Sequence, residues 1–276
     1  MDVIHTVADL RRRLKSESRV GFVPTMGNLH DGHIDLTRIA GASAPCTVVS
    51  IFVNRLQFGP NEDFDRYPRT LAEDCAKCEA AGVNVVFAPD EQQMYPVAQS
   101  YTVDPGPIQH VLDGAVRPGH FRGVATVVLK LFGMVQPQVA VFGRKDYQQC
   151  RVIEGLVRQF SLPVELVFAP TSRAADGLAL SSRNGYLSPA ERAEAPRMYQ
   201  LLRGMVDAIQ AGDRDYSQLE QRTLATLVAN GWLSDYVTVR RQADLEPADQ
   251  QDRKLAILAA AKLGTTRLID NVEFEI

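Results

Sequence analysis

The chain has 276 residues, 45% hydrophobic and 23% charged, which is the usage of a folded globular protein and excludes a disordered, collagenous or coiled-coil one. A chain this long buries roughly 75% of its unfolded surface and needs no disulfide or metal staple. Lysine and arginine total 30 against 33 aspartates and glutamates, a net charge of −3, so there is no basic excess to bind a nucleic-acid backbone.

In chain order, Thr6-x-x-Asp9 is a capping-box-like helix start. Val7, Leu10 and Leu14 follow at helical spacing, so the run Arg11-Arg12-Arg13 with Lys15 reads as a solvated helix face. These early charges leave no apolar region for a signal peptide. Strands are expected at 20–23, 46–53, 83–88, 139–142 and 164–168. The stretch from Thr47 to Val53 is almost continuously apolar, as in a strand buried on both faces. Helical patterns fall between them: Leu36, Ile39 and Ala40; residues 71–81; and Ile153, Leu156, Val157 and Phe160. The most apolar stretch, 124–135, is interrupted by Lys130 and is too short to span a bilayer. A cytoplasmic protein without membrane contact is expected. The alternation predicts an α/β fold with a Rossmann-like, doubly wound parallel sheet.

The character changes near Pro170. Ser188-Pro189-Ala190-Glu191 is a helix start with Ser at the N-cap, Pro at N1 and Glu at N3; this helix is expected to reach about Ala211. A second is expected from about Ser217, with Glu220 as its capping partner. Strand-like runs follow at 236–240, 255–262 and 266–275, with a hairpin at Leu263-Gly264-Thr265-Thr266. Two domains are therefore expected, 1–171 and a smaller α+β domain at 172–276, hinged between about Ala169 and Ser188. Doubly wound sheets bind ligands beyond their carboxyl ends, where a second domain is placed to act as a lid. Cys46, Cys75, Cys78 and Cys150 have no disulfide-framework spacing. The Cys75-x-x-Cys78 pair lies in an expected helix with no second ligand pair, which favours a structural role over redox or zinc chemistry.

Four stretches carry chemistry. Pro24-Thr25-Met26-Gly27-Asn28-Leu29-His30-Asp31-Gly32-His33 follows the first core strand and opens a helix. Backbone N–H groups at a helix start favour phosphate, and Gly32 permits close approach. His30 and His33, three apart, share a face, and the positive helix end keeps their rings neutral and donating. The competing reading is a pair of cap histidines or half of a metal site, although a metal pair is usually spaced i, i+4 with a carboxylate nearby. In Gly143-Arg144-Lys145-Asp146-Tyr147-Gln148-Gln149, Lys145 stands at a strand's carboxyl end, where it can neutralise a phosphoryl group in transfer. Asp146 and Gln149 also fit a plain capping box, and the residues alone allow both. Ser181-Ser182-Arg183-Asn184 offers two hydroxyls and a guanidinium near the hinge. Asn54 and Gln57, with Phe52 and Phe58, lie just past a core strand; amides there read hydroxyls and a carboxylate. No Walker A or G-x-S-x-G pattern occurs, and no G-x-G-x-x-G follows a strand.

Together these motifs resemble the pantothenate synthetase (pantoate–β-alanine ligase) family of the HIGH-motif nucleotidyltransferase superfamily. Val23 through His33 is similar to the family's HIGH motif and Ser50 through Gly59 to its substrate strand. Tyr67-Pro68-Arg69-Thr70, Arg117-Pro118-Gly119-His120-Phe121-Arg122-Gly123-Val124 and Phe142 through Gln149 follow in order. Ser181 to Asn184 resembles its KMSKS-type loop. The resemblance covers about residues 20 to 187.

It implies a Rossmann-like domain, a smaller lid domain and a homodimer. It implies ATP-dependent condensation of pantoate with β-alanine through a pantoyl adenylate, giving pantothenate, AMP and pyrophosphate. By the resemblance, ATP meets Met26, Gly27, Asn28, Leu29, His30, Asp31, Gly32, His33, Gly143, Arg144, Lys145, Asp146, Ser172, Leu180, Ser181, Ser182 and Arg183. His33, His30, Lys145, Ser181 and Arg183 are implied to be catalytic. Asn54, Gln57 and Gln149 are implied to bind pantoate, and Gln57 also β-alanine. Mg2+ would accompany ATP, with Asp74 where the family places a metal-side carboxylate. Three departures are visible: Arg55 in place of a usual proline, Arg144 in place of a common glutamate and Leu180 in place of methionine. Arg55 adds a charge near the substrate strand, and Arg144 makes the phosphate region more positive. Two alternatives stand beside this reading. One is another HIGH-motif adenylyltransferase, which Gln57 and Gln149 argue against. The other is a non-catalytic ATP-binding module, which intact His30, His33, Lys145 and Arg183 argue against.

Overall fold

Short apolar runs separated by amphipathic helices fold into a six-stranded parallel sheet made of β1 (Asp2–Ile4), β2 (Val20–Thr25), β3 (Cys46–Ile51), β4 (Val85–Phe87), β5 (Val139–Gly143) and β6 (Glu165–Ala169), in the order β1-β4-β3-β2-β5-β6. A computed structural model of the chain describes residues 1–60 and 62–276. The expected parallel sheet is present. Its edge strand β1 escaped the sequence reading because three residues, two of them exposed, carry no periodicity.

Strand residues alternate between two apolar layers. Phe22 and Val48 join one face with α1 (Val7–Leu14) and α6 (His120–Val135); Val23 and Val49 join the other with α2 (Asp31–Ser43) and α3 (Leu71–Ala80). The helices α4 (Glu91–Met94) and α5 (Asp113–Val116) are short connectors, and α7 (Tyr147–Gln159) follows β5. Thr6 caps α1, its hydroxyl accepting from Asp9 N at 3.1 Å. The arginine run is a solvated face: Arg12 pairs with Asp9, Arg13 with Asp2 and Glu17, and Arg11 donates to Gly133 O. The apolar stretch 124–135 is the buried body of α6. Phe160, expected on the inner stripe of α7, instead lies past its end and is 54% exposed, because the chain turns away at Ser161 (φ +51°). Cys78 is buried in α3, which pushes its thiol up to about 12, the opposite of a reactive thiolate.

By contact the chain divides into Met1–Arg144 with Gln149–Pro170, and Lys145–Gln148 with Thr171–Ile276. The second unit contains α8 (Pro189–Glu194), α9 (Arg197–Gln210), α10 (Tyr216–Ala229) and an antiparallel sheet of β7 (Trp232–Arg241), β8 (Lys254–Leu263) and β9 (Thr266–Glu275). Ser188 and Glu191 form the expected capping box. The single helix expected from Ser188 to Ala211 is in fact two, broken at Ala195–Pro196, since an interior proline supplies no N–H and crowds the preceding turn. Glu220 is not a capping partner. Asp215 caps α10 by accepting from Gln218 N, while Glu220 accepts from Val239 N (2.7 Å) and Thr238 Oγ1 (3.0 Å) and so fastens α10 to β7. The hairpin at Leu263–Thr266 is as expected. No helix among the described residues is long and apolar enough to cross a membrane.

Close packing of α2 on β2 depends on Gly21, where an added Cβ would meet Ala40 O at 2.7 Å, a backbone atom that cannot rotate away. Gly21→Ala is expected to lower unfolding stability by about 1–3 kcal/mol, read from urea midpoints; an unchanged midpoint would show that the helix can shift freely.

Candidate active site

At the carboxyl end of β2 the chain makes a tight left-handed turn, with φ of +84° at Gly27 and +49° at Asn28. Glycine adopts this region freely and asparagine with less penalty than most residues. The turn is held from α3. Asp74, fully buried, accepts from Asn28 N (2.9 Å) and Leu29 N (2.7 Å), and from Thr70 Oγ1 at 3.1 Å. Lys77 Nζ donates to Leu29 O at 2.5 Å. An alanine at Gly27 would place Cβ 3.1 Å from Asp74 Oδ2, so the carboxylate closes the space beneath the turn. Asp74, expected beside a metal, thus commits both oxygens to the loop backbone. Among the described residues no group of three or more His, Cys, Asp or Glu could hold a metal ion.

The turn delivers His30 to the N-cap of α2 and His33 to its first turn, with ring centroids 4.0 Å apart. His33 Nδ1 accepts the His30 backbone N–H at 3.3 Å. A ring accepting at Nδ1 carries its proton on Nε2, which makes His33 a neutral donor. Asp31 is exposed, Gly32 buried, and Met26, Asn28 and both histidines half-buried.

Past β3, residues Arg55–Gln57 form a 3-10 turn. Asn54 is almost fully buried and its amide is saturated: Nδ2 donates to Gln57 Oε1 (3.1 Å) and Gly123 O (3.2 Å), and Oδ1 accepts from Tyr95 Oη (2.7 Å) and Leu56 N (3.3 Å). Four bonds exhaust an asparagine side chain. Asn54 therefore orients Gln57, whose Nε2 also lies 3.1 Å from Met26 Sδ. Gly123 is required because a Cβ would lie 2.1 Å from Leu56 O. Arg55 stacks 4.0 Å over Phe64 and pairs with Glu91 at 3.3 Å.

Arg117 and His120, which lie in the Arg117–Val124 motif, support the same turn. Glu62 holds Arg117 through two bonds of 2.7 and 2.6 Å. His120 donates from Nδ1 to Gln57 O (2.7 Å), leaving Nε2 to accept from Arg117 Nη1 (3.0 Å). Burial, reinforced by the Arg117 charge, pushes His120 down to about 4, so the ring is neutral. Tyr95 and Glu62 carry no motif of their own; only the side-chain bonds identify them. Gly143 ends β5, and Arg144 donates from Nε to Phe168 O (3.2 Å), tying its side chain to β6. Gln149 is half-buried on α7.

In the second unit, Lys145 Nζ lies 3.8 Å from Asp146 Oδ1 and Lys145 O accepts from Asn271 Nδ2 at 2.9 Å. Ser181 caps a 3-10 turn, Ser182–Tyr186, its hydroxyl accepting from Arg183 N at 3.2 Å. Leu180 N donates to Ser172 O at 2.9 Å, which joins the two ends of the preceding loop. Ser181, Ser182 and Arg183 are all half-buried. Within the first unit the structure pairs His30 with His33 and Met26 with Gln57; Lys145 and the Ser172–Arg183 segment both fall in the second.

A parallel sheet ending in a glycine turn and a histidine-bearing helix start defines a Rossmann-like nucleotide-binding protein. The family model for pantoate–β-alanine ligase matches residues 2–273, and the chain belongs to that family. Pantothenate synthetases of Nitrosospira multiformis and Neisseria meningitidis serogroup C are 55% and 57% identical, over 99% and 100% of this chain and 98% and 100% of theirs. The crystal structure of the Thermus thermophilus pantothenate synthetase superposes with a TM-score of 0.94 at 45% identity, covering 99% of both chains. The Francisella tularensis ligase, complexed with β,γ-ATP and β-alanine, gives 0.82 at 33% identity, over 99% of this chain and 97% of that one. Family members are ligases that form an amide bond, and so is this chain.

The folded His120 ring titrates near 4 against an ordinary 6.5, so its neutral form contributes stability that is complete above about pH 6.5 and lost as pH falls towards 4. Urea unfolding should show about 3 kcal/mol more loss over that window in the wild type than in His120→Asn, which can still donate and accept. Equal slopes in the two proteins would mean that His120 is not the group titrating.

Proposed function

We propose that the chain condenses pantoate with β-alanine in an ATP-dependent reaction that passes through a pantoyl adenylate and releases AMP and pyrophosphate. The pantoate carboxylate attacks the α-phosphorus of ATP; an O–P bond forms as the bond to pyrophosphate breaks. Negative charge gathers on the phosphoryl oxygens, and His33, Lys145, Ser181 and Arg183 are the donors and cations that meet it, with His30 on the phosphates. The β-alanine amine then attacks the acyl carbon, loses a proton and displaces AMP. Gln57 and Gln149 orient pantoate, and Gln57 the incoming amine. Asn54 serves the pantoate site by setting Gln57, its own amide being saturated.

The observation that carries this reading is the His30–His33 pair on a left-handed turn, with His33 locked as a neutral Nε2–H donor by the His30 N–H. The remaining ATP contacts follow the family motif: Met26 to Gly32, Gly143 to Asp146, Ser172, Leu180 and Ser182. Mg2+ enters this reading as the counter-ion of ATP. The chain works in the cytoplasm as a homodimer, with residues 172–276 as the lid that excludes water from the hydrolysable anhydride.

His33→Ala and Lys145→Ala are expected to keep the wild-type thermal midpoint and to lower stoichiometric AMP release by about 100- to 1000-fold. Wild-type turnover in a folded variant refutes that residue's role. Tight ATP binding by the wild type without AMP release in the presence of both acids would return the non-catalytic module.

A further inference from the structure

The last strand, β9, lies outside every motif of the sequence, yet it holds two buried polar side chains in succession, Asp270 and Asn271, each 5% exposed. The Asp270 carboxylate accepts from Arg173 Nη1 (2.7 Å) and Nη2 (2.8 Å). The same guanidinium donates to Gly177 O (3.0 Å) and Asn271 O (3.1 Å) and stacks 3.7 Å over the Tyr199 ring. Arg173 thereby fixes a loop that is closed by pairing of Arg173 with Ala179 and by the bond from Leu180 N to Ser172 O; Ser181 follows directly. Gly177, at φ +95°, has no room for a Cβ, which would lie 2.7 Å from Tyr199. Asn271 Nδ2 meanwhile donates to Lys145 O at 2.9 Å, although 126 positions separate the two residues. One strand thus holds the backbone of Lys145 and the root of the Ser181–Arg183 segment from adjacent positions.

A buried ion pair adds little net stability, because desolvation offsets attraction. What a bidentate pair does provide is fixed geometry. We propose that Asp270 and Asn271 are positioning residues for the polyphosphate. Asn271 acts through the carbonyl of Lys145, and Asp270 acts through Arg173 on the loop leading to Ser181 and Arg183. This inference rests on the reading that Lys145, Ser181 and Arg183 meet ATP. Removal of either side chain leaves the reacting groups present and misplaced, so the effect falls on ATP and spares pantoate.

The test is acetylation footprinting of Lys145 by mass spectrometry across an ATP titration, with Lys262 of the same unit as internal control. It is run on the full chain as wild type, Asn271→Ala and Asp270→Asn, the last a near-isosteric variant that carries the comparison should the alanine variant fail to fold. KM for ATP and for pantoate are measured alongside. ATP should protect Lys145 in the wild type. In both variants the ATP concentration for half-protection and KM for ATP should rise about ten-fold, with KM for pantoate within about two-fold and Lys262 labelling unchanged. Wild-type half-protection in the folded variants overturns the inference, as does an equal rise in both KM values, the signature of general loosening. Absence of protection in the wild type removes the ATP reading of Lys145 itself, and the inference with it; the wild-type arm alone distinguishes that failure.

Discussion

The candidate site depends first on a buried carboxylate holding a strained turn. Two successive residues with positive φ, one of them not glycine, are unfavourable in isolation. Asp74 offsets this by accepting from the amides of Asn28 and Leu29, bonds to a charged acceptor being stronger than neutral ones. Without that support the amides would be free to rotate and the entry to α2 would lose its direction. The positions of His30 and His33, and the bond that gives His33 its donor form, all follow from where this turn places the first residues of the helix.

The same logic recurs around the other functional side chains. Gln57 is set by the saturated amide of Asn54 on one side and by the Glu62–Arg117–His120 chain on its carbonyl. Lys145 is anchored at its backbone by Asn271. In each case the residue assigned to substrate is mobile in type, a glutamine or a lysine, and it is restrained through its main chain or amide by groups buried behind it. Precision in acyl and phosphoryl transfer comes from such restraint, since small displacements of a reacting group have large effects on rate.

The groups that the proposed chemistry uses stand in short contiguous motifs of the sequence: His30 and His33, Gln57, Lys145, Ser181 and Arg183. The sheet, apart from its edge strand β1, was legible from apolar runs, and the helix starts at Thr6 and Ser188 from capping patterns. The supports were not. Asp74 is 45 residues from Leu29, Glu62 55 from Arg117, and Asn271 126 from Lys145, separations at which no local pattern operates. Glu220 shows the reverse error, a local pattern suggesting a cap where a cross-element bond to β7 prevailed. The break between α8 and α9 falls at Pro196, inside the single helix expected from Ser188 to Ala211.

The proposed reaction turns on activation of a carboxylate by adenylation before any amine is present. Isotope exchange between labelled pyrophosphate and ATP, with β-alanine omitted, tests it directly. Exchange that requires pantoate is the predicted result, because only a reversible acyl-adenylate step returns label to ATP. A folded, ATP-binding preparation that makes amide yet shows no pantoate-dependent exchange would contradict an adenylate intermediate.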